Sequence, residues 1–267
     1  MSKHILVTGA GSGLGLGFAE RYLRRGHRVS VLDRDLPDSA CQRLDRAGAG
    51  RWTGHLTDVT DDAGVNAAVT AAVAAGGAPD LVIHCAGIVL NRAVADMQGS
   101  DFRRVIDVNL NGSFHVASAV LRHMKPGSRL ALIASMAGIT SNYAYAAYGA
   151  SKFGVVGLAS TLRYEYAPRG IAISCICPPE VRTPMVAGER TPGNYNEVAM
   201  ALKDYAGSLD ADVAIDAMMA GLDAGEWMII PGLQAKAVAL FSRHLPKPFF
   251  AVMEFMVGRE LRKRGQI

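Results

Sequence analysis

Short apolar runs of four to seven residues alternate along the chain with longer, helix-like stretches. The runs fall at 4–7, 28–32, 52–56, 81–85, 129–134, 171–177 and 227–230, and each reads as a strand. Between them the pattern predicts helices at 14–25, 38–47, 61–75, 101–124 and 145–166. Gly26, Lys125-Pro126-Gly127 and the Pro168/Gly170 pair supply stop signals. Past Pro178-Pro179 an irregular segment carries Pro184, Gly188, Pro192 and Gly193, and one more helix leads to the final strand.

Strands separated by helices of this length pair in parallel through right-handed crossovers. The expected fold is therefore α/β, a doubly wound parallel sheet of the nucleotide-binding kind. No internal repeat and no linker divides residues 1–232, which read as one domain with a helical extension at 233–267.

Composition narrows the class. The chain has 267 residues, enough for a large core, with 50% hydrophobic and 19% charged residues. The net charge of +4 is modest and its basic residues are scattered, which argues against nucleic acid as a partner. The clearest basic run is Arg259, Arg262, Lys263 and Arg264. No apolar stretch reaches the ~20 residues of a spanning helix, and the N-terminus enters a strand at once, without a signal peptide. Cys41, Cys85, Cys175 and Cys177 lack metal-like spacing, so they are expected as reduced thiols in a cytoplasmic protein, with no metal bound. Cys175 and Cys177 alternate on one strand and should face the same side.

Two constellations carry chemistry. Tyr148 and Lys152 are four apart on a predicted helix and share a face, and Ser135 lies thirteen residues before the tyrosine. An ammonium beside a phenol favours the phenolate, which suits proton exchange with a substrate oxygen. The second constellation is Gly9, Gly11, Ser12, Gly13, Leu14 and Gly15, between the first strand and the first helix. Glycines there permit a tight turn and close approach of a pyrophosphate to the helix N-terminus. Asp33 ends the next strand, 18 residues after Gly15. It is placed to bind the ribose hydroxyls and repel a 2′-phosphate, so NAD is favoured over NADP even though Arg34 follows.

In order and spacing these motifs resemble the short-chain dehydrogenase/reductase family over residues 3–232. The matching segments are TGAGSGLG at 8–15, Asp58-Val59, Ala86-Gly87, Val-Asn-Leu at 108–110, Ser135, YGASK at 148–152, and 178–183. The resemblance implies Tyr148 as general acid/base, Lys152 as its partner and nicotinamide-ribose ligand, and Ser135 on the substrate oxygen. It implies Asn109 in a water-borne proton relay, Asp58 and Val59 at the adenine, and Val181 and Thr183 at the carboxamide. It also implies a homodimer or homotetramer built on helices 101–124 and 145–166.

Two departures stand out. His84-Cys85 replaces the family's Asn-Asn, and His84 is expected as a packed, hydrogen-bonded residue. Pro178-Pro179 replaces Pro-Gly, which stiffens the entry to the substrate loop. With the long tail, Pro-Pro is similar to 3-ketodihydrosphingosine reductases and related lipid-handling members. The tail holds Leu233, Val238, Leu240 and Phe241, then Phe249, Phe250, Met253, Phe255 and Met256, before the basic run. It is expected to cover an apolar substrate pocket or a second subunit, with membrane contact as the lesser alternative. The expected function is interconversion of a secondary alcohol and a ketone. The alternatives are an NADPH-dependent reductase of long-chain keto-lipids and a non-catalytic dinucleotide-binding sensor or scaffold.

Overall fold

The computed structural model describes residues 2–191 and 193–267, so Pro192 lies outside the described residues. In chain order the strands are β1 (His4–Thr8), β2 (Arg28–Asp33), β3 (Trp52–Leu56), β4 (Leu81–His84), β5 (Arg129–Ile133), β6 (Ala172–Ile176) and β7 (Met228–Ile229). They form one parallel sheet in the order β3-β2-β1-β4-β5-β6-β7. This is the doubly wound architecture expected from the alternation.

Helices α1 (Gly13–Arg24) and α2 (Asp38–Gly48) cover one face, together with α9 (Ala211–Asp223). The other face is covered by α3 (Asp62–Gly76), α5 (Gly112–Leu121) and α6 (Ala146–Tyr166). Both faces of the central strands are therefore buried, which is why β1 and β4 read as continuous apolar runs and not as alternating ones. The order reverses between β1 and β4, and the crevice above their C-terminal ends is where such sheets bind ligands.

The structure departs from the expected elements in three places. The helix predicted at 101–124 is α4 (Gly99–Ile106), then a π-helical stretch Asp107–Asn111, then α5. The widened turn follows from Asn109, whose side chain bonds the loop after β4. The last strand is shorter, Met228–Ile229 rather than 227–230. The segment read as irregular contains α7 (Pro184–Glu189) and α8 (Glu197–Ala206), so two helices are added before α9.

The tail is two helices, α10 (Leu233–His244) and α11 (Pro246–Lys263), with the break where Pro246 removes a backbone donor. Glu260 is buried in α11, and its carboxylate accepts from Tyr205 of α8 and from Lys263 and Arg264. Part of the terminal basic run thus clamps α11 onto α8. No helix among the described residues is long and apolar enough to cross a membrane.

Candidate active site

The crevice opens into a cavity of about 810 Å³ that runs from the glycine loop to the two tail helices. At one end, β1 turns into α1 through Gly9, which has φ +66°, and a Cβ there would stand 2.6 Å from the Ala86 nitrogen. Only glycine lets this turn pack against the loop after β4. Gly13 has φ +53° and its Cα side is open, with Thr183 and Pro184 the nearest atoms at 3.8–4.0 Å from a Cβ. Ser12 occupies the N-cap of α1 but makes no side-chain cap, so the first-turn N–H groups keep their donor capacity toward the cavity.

Asp33 is fixed at the β2 terminus, where its Oδ2 accepts from the Gly11 N–H at 2.7 Å. Arg34, Asp58, Val59, Ala86 and Gly87 line the same end. Asp58 accepts from the Thr60 N–H and hydroxyl, which holds its carboxyl below the usual range. Free helix donors, an acid at the neighbouring strand end and glycine-made clearance together fit a dinucleotide.

Ser135, Tyr148 and Lys152 meet in the middle of the cavity. Ser135 caps a short 3₁₀ turn after β5, where its Oγ accepts from the Ala137 N–H at 3.1 Å, and it also supports the Tyr148 oxygen. Tyr148 and Lys152 project from the first turns of α6. The Lys152 Nζ lies 5.7 Å from the Tyr148 ring centre and donates to the Ile133 carbonyl at 2.9 Å. Burial dominates both groups. It pushes the Tyr148 phenol up to about 12 against the Ser135 hydrogen bond, and the Lys152 ammonium down to about 8. The depression of the phenol expected from Lys152 does not appear, because desolvation outweighs it and the ammonium is directed at Ile133.

Asn109 is fully buried, and its amide is tied to Ile88 N–H and C=O and to the Ser151 hydroxyl. A Cβ on Gly87 would lie 3.2 Å from Asn109 Oδ1 and 3.6 Å from Lys152 Nζ, so this glycine keeps the space between them open. Val181 and Thr183 lie on the loop that faces the glycine turn.

His84 is buried beside this centre. The Thr8 hydroxyl receives the Cys85 N–H and stands 2.7 Å from His84 Nδ1, in hydrogen-bond contact with the ring, while the buried Nε2 has no partner. Burial and the Lys152 charge hold this histidine at about 3. In the unfolded chain it takes up a proton near 6.5. Its contribution to stability is therefore present above pH 6.5 and is lost as pH falls from 6.5 toward 3, on the order of 1 kcal/mol of it by pH 5.5. His84→Asn removes the titrating group. Thermal melts at pH 7.5 and 5.5 should show a smaller acid shift for the variant, and equal shifts would remove His84 as a source of acid lability.

Among the described residues all four cysteines are free, and Cys175 and Cys177 sit on one side of the sheet with sulfurs 3.8 Å apart.

At the far end the cavity is apolar. Val238 and Phe241 of α10 and Phe249, Val252, Met253 and Met256 of α11 line it, opposite Pro178, Pro179 and Leu209. One wall carries charge instead, with Tyr145, Glu180, Glu189 and Lys203. Sequence reasoning missed this group. Its members are scattered from position 145 to 203, and nothing in their spacing signals that α7 and α8 bring them together.

A family profile described as short chain dehydrogenase matches residues 3–193. The chain belongs to the short-chain dehydrogenase family. It is 36% identical over 197 residues to the short-chain reductase protein NovJ of Streptomyces niveus, covering 72% of this chain and 75% of that one. It is 31% identical over 235 residues to the 3-dehydrosphinganine reductase TSC10B of Arabidopsis thaliana, covering 85% and 69%. A short-chain dehydrogenase/reductase from Burkholderia phymatum, solved in complex with NAD, superposes with TM-score 0.79 at 26% identity, over 91% of this chain and 93% of that one. As a short-chain dehydrogenase the protein is an oxidoreductase of the alcohol/ketone pair with a nicotinamide dinucleotide. Residues of the glycine loop, Asp33, Ser135, Tyr148 and Lys152 line one cavity.

Proposed function

We propose that the protein interconverts an apolar secondary alcohol and its ketone with NAD(H), using Tyr148 as general acid/base. The observation that carries this reading is the continuity of one cavity from the glycine loop, past Tyr148, to the apolar walls of α10 and α11. Asp33, Asp58 and Val59 bind the adenosine end, the α1 N-terminus the pyrophosphate, and Val181 and Thr183 the carboxamide. Bound there, the dinucleotide supplies or accepts the hydride. The chain's own residues do the rest. Ser135 and Tyr148 hold the substrate oxygen and Tyr148 exchanges its proton. Lys152 binds the nicotinamide ribose and, with Asn109, borders the opening at Gly87 through which a water relays protons.

Assembly as a homodimer or homotetramer is supported by Phe114 of α5 and Phe153 and Tyr164 of α6, all exposed on the two long helical segments. The free thiols support a reducing, cytoplasmic setting. Any membrane contact through the tail is peripheral, carried by exposed Leu240, Leu245, Phe250 and Phe255. A second reading, an NADP(H)-linked reductase of long-chain keto-lipids, draws support from Arg34 at the cavity wall and from the 3-dehydrosphinganine reductase relative. The non-catalytic sensor or scaffold reading has no support, since the three reacting residues share one cavity.

The test is a screen of alcohols and ketones of graded chain length against both cofactors, read by reduced-nicotinamide absorbance. Asp33→Ala should weaken NAD binding and narrow the gap to NADP, because the like-charge repulsion of a 2′-phosphate is gone. Calorimetry that finds wild-type protein binding NADP more tightly than NAD assigns the adenosine end to Arg34 instead.

A further inference from the structure

Glu189 ends α7 and is buried, at 1% exposure, on the wall of the substrate cavity. Its donors come from three separate parts of the chain. The Tyr145 hydroxyl, at the start of α6, donates to Oε1 at 2.6 Å. The Asn91 amide, on the loop after β4, donates to the same oxygen at 3.1 Å. The Lys203 ammonium of α8 takes Oε2 and also pairs with Glu180 at 2.6 Å. Burial pushes the Glu189 carboxyl up, against the Tyr145 and Asn91 hydrogen bonds, and the adjacent ammonium favours its ionised form. Well-packed apolar side chains often fill such a place with no loss of stability, so what the carboxylate adds is the direction of its bonds.

The bond to Tyr145 leads to the reacting centre. Tyr145 lies three residues before Tyr148, and the two rings are 5.4 Å apart. Tyr145 is itself buried, and a close-packed ring passes a displacement on to its neighbour. Its backbone is fixed as well. The Arg92 N–H donates to the Ala144 carbonyl at 2.9 Å, and Ala144 has φ +61°, a left-handed conformation that an alanine keeps only where surrounding contacts impose it. The charge of Glu189 reaches the same centre. The Tyr148 phenol is raised by burial first and by Glu189 in addition, against the Ser135 hydrogen bond.

We infer that Glu189 is a positioning residue for the alcohol/ketone reaction: it anchors the Tyr145 hydroxyl and, through the Tyr145 ring, holds the Tyr148 phenol where it exchanges a proton with the substrate oxygen. Glu189 itself exchanges no proton with the substrate. One contact thus sets the wall built by α7 and α8 and the proton-transferring side chain together. The inference rests on Tyr148 as general acid/base and names what keeps it in place.

The test follows single-turnover reduction of one ketone from the graded screen by the full-length enzyme, read by loss of reduced-nicotinamide absorbance. Tyr145→Phe keeps the ring beside Tyr148 and removes only the hydroxyl that reaches Glu189. The rate at saturating ketone should fall about tenfold or more, the scale of a hydrogen bond to a charged acceptor. Dinucleotide Kd and the affinity for ketone should change by less than about threefold, since the loss lies in the transition state and not in binding. Glu189→Gln retains an acceptor for Tyr145 and should keep more of the rate than Glu189→Ala. In the Glu189→Ala background, Tyr145→Phe should cost little more, because the contact is already gone. Dinucleotide binding followed by fluorescence counts the folded sites, so each rate is expressed per site.

A Tyr145→Phe enzyme with the wild-type single-turnover rate overturns the inference, whether or not the Glu189 variants fold. So does a loss confined to ketone affinity, or to melting temperature with the rate per folded site unchanged, the mark of a wall that only closes the cavity. Tyr148→Phe measured alongside separates the two claims. A nearly inert Tyr148→Phe with an unimpaired Tyr145→Phe leaves the acid/base reading standing alone. Near-normal turnover of Tyr148→Phe strikes that reading, and the inference with it.

Discussion

Tyr148→Phe is expected to lower turnover by at least about 10²–10⁴-fold, the usual contribution of general acid–base catalysis, while dinucleotide binding stays close to wild type. The change removes one oxygen and leaves the ring, which packs against Tyr145 and near Lys152, in place. The pH dependence gives the sign. A phenol near 12 holds its proton at pH 7, which is the form that protonates a carbonyl oxygen. Alcohol oxidation needs the phenolate, so its rate should climb with pH through the alkaline range, by up to about tenfold per unit while the phenolate is scarce, whereas ketone reduction should not climb. Steady-state rates in both directions from pH 6.5 to 9.5 test this. Near-normal turnover of Tyr148→Phe on the true substrate, or parallel profiles in the two directions, would take the proton transfer away from this residue.

Removing the chain after Gly232 is the other large perturbation. It strips α10 and α11, and with them Val238, Phe241, Phe249, Val252, Met253 and Met256 from the cavity wall. It also strands Tyr205, whose hydroxyl loses Glu260 and Arg259. An uncovered apolar cleft of this size is rarely left in water, so the truncated protein should aggregate or change its assembly state. Activity should fall more for long chains than for short ones. Each methylene no longer covered gives up about 0.8 kcal/mol, about fourfold in kcat/KM. The ratio of kcat/KM for long and short ketones, measured with sedimentation velocity, checks both outcomes. Binding of the intact protein to anionic liposomes at low and high salt tests the peripheral membrane contact. Strong, salt-sensitive binding would favour an interfacial role, since each basic residue near the surface contributes about 1 kcal/mol and is screened. A truncated protein that stays soluble, unchanged in assembly and equally active on every chain length would leave the tail without either role.

Most of the scaffold was legible in the sequence, because periodicity and punctuation are local. The strand runs, the glycine turn before α1 and the acid ending β2 follow from rules that act over a few residues. The i, i+4 pair Tyr148/Lys152 is likewise set by helix geometry, and Ser135, Asp58, Ala86-Gly87 and Asn109 came with the family's order of motifs. The parallel sheet followed from the lengths of its crossovers.

What the sequence left open depends on contacts between distant residues. The π-helical turn at Asp107–Asn111 exists because the Asn109 side chain reaches the loop after β4, about twenty residues back. Whether the phenol is raised or lowered depends on the balance of burial against charge, and that balance is set by which carbonyl Lys152 reaches. The tail's apolar residues had several plausible partners in one dimension, and only the packing of α11 on α8 and α10 turned them toward the cavity. Glu180, Glu189 and Lys203 show the same limit most sharply. Separately they are ordinary charges on a loop and two helices, and only the fold brings them to one buried wall, where desolvation makes their pairing matter.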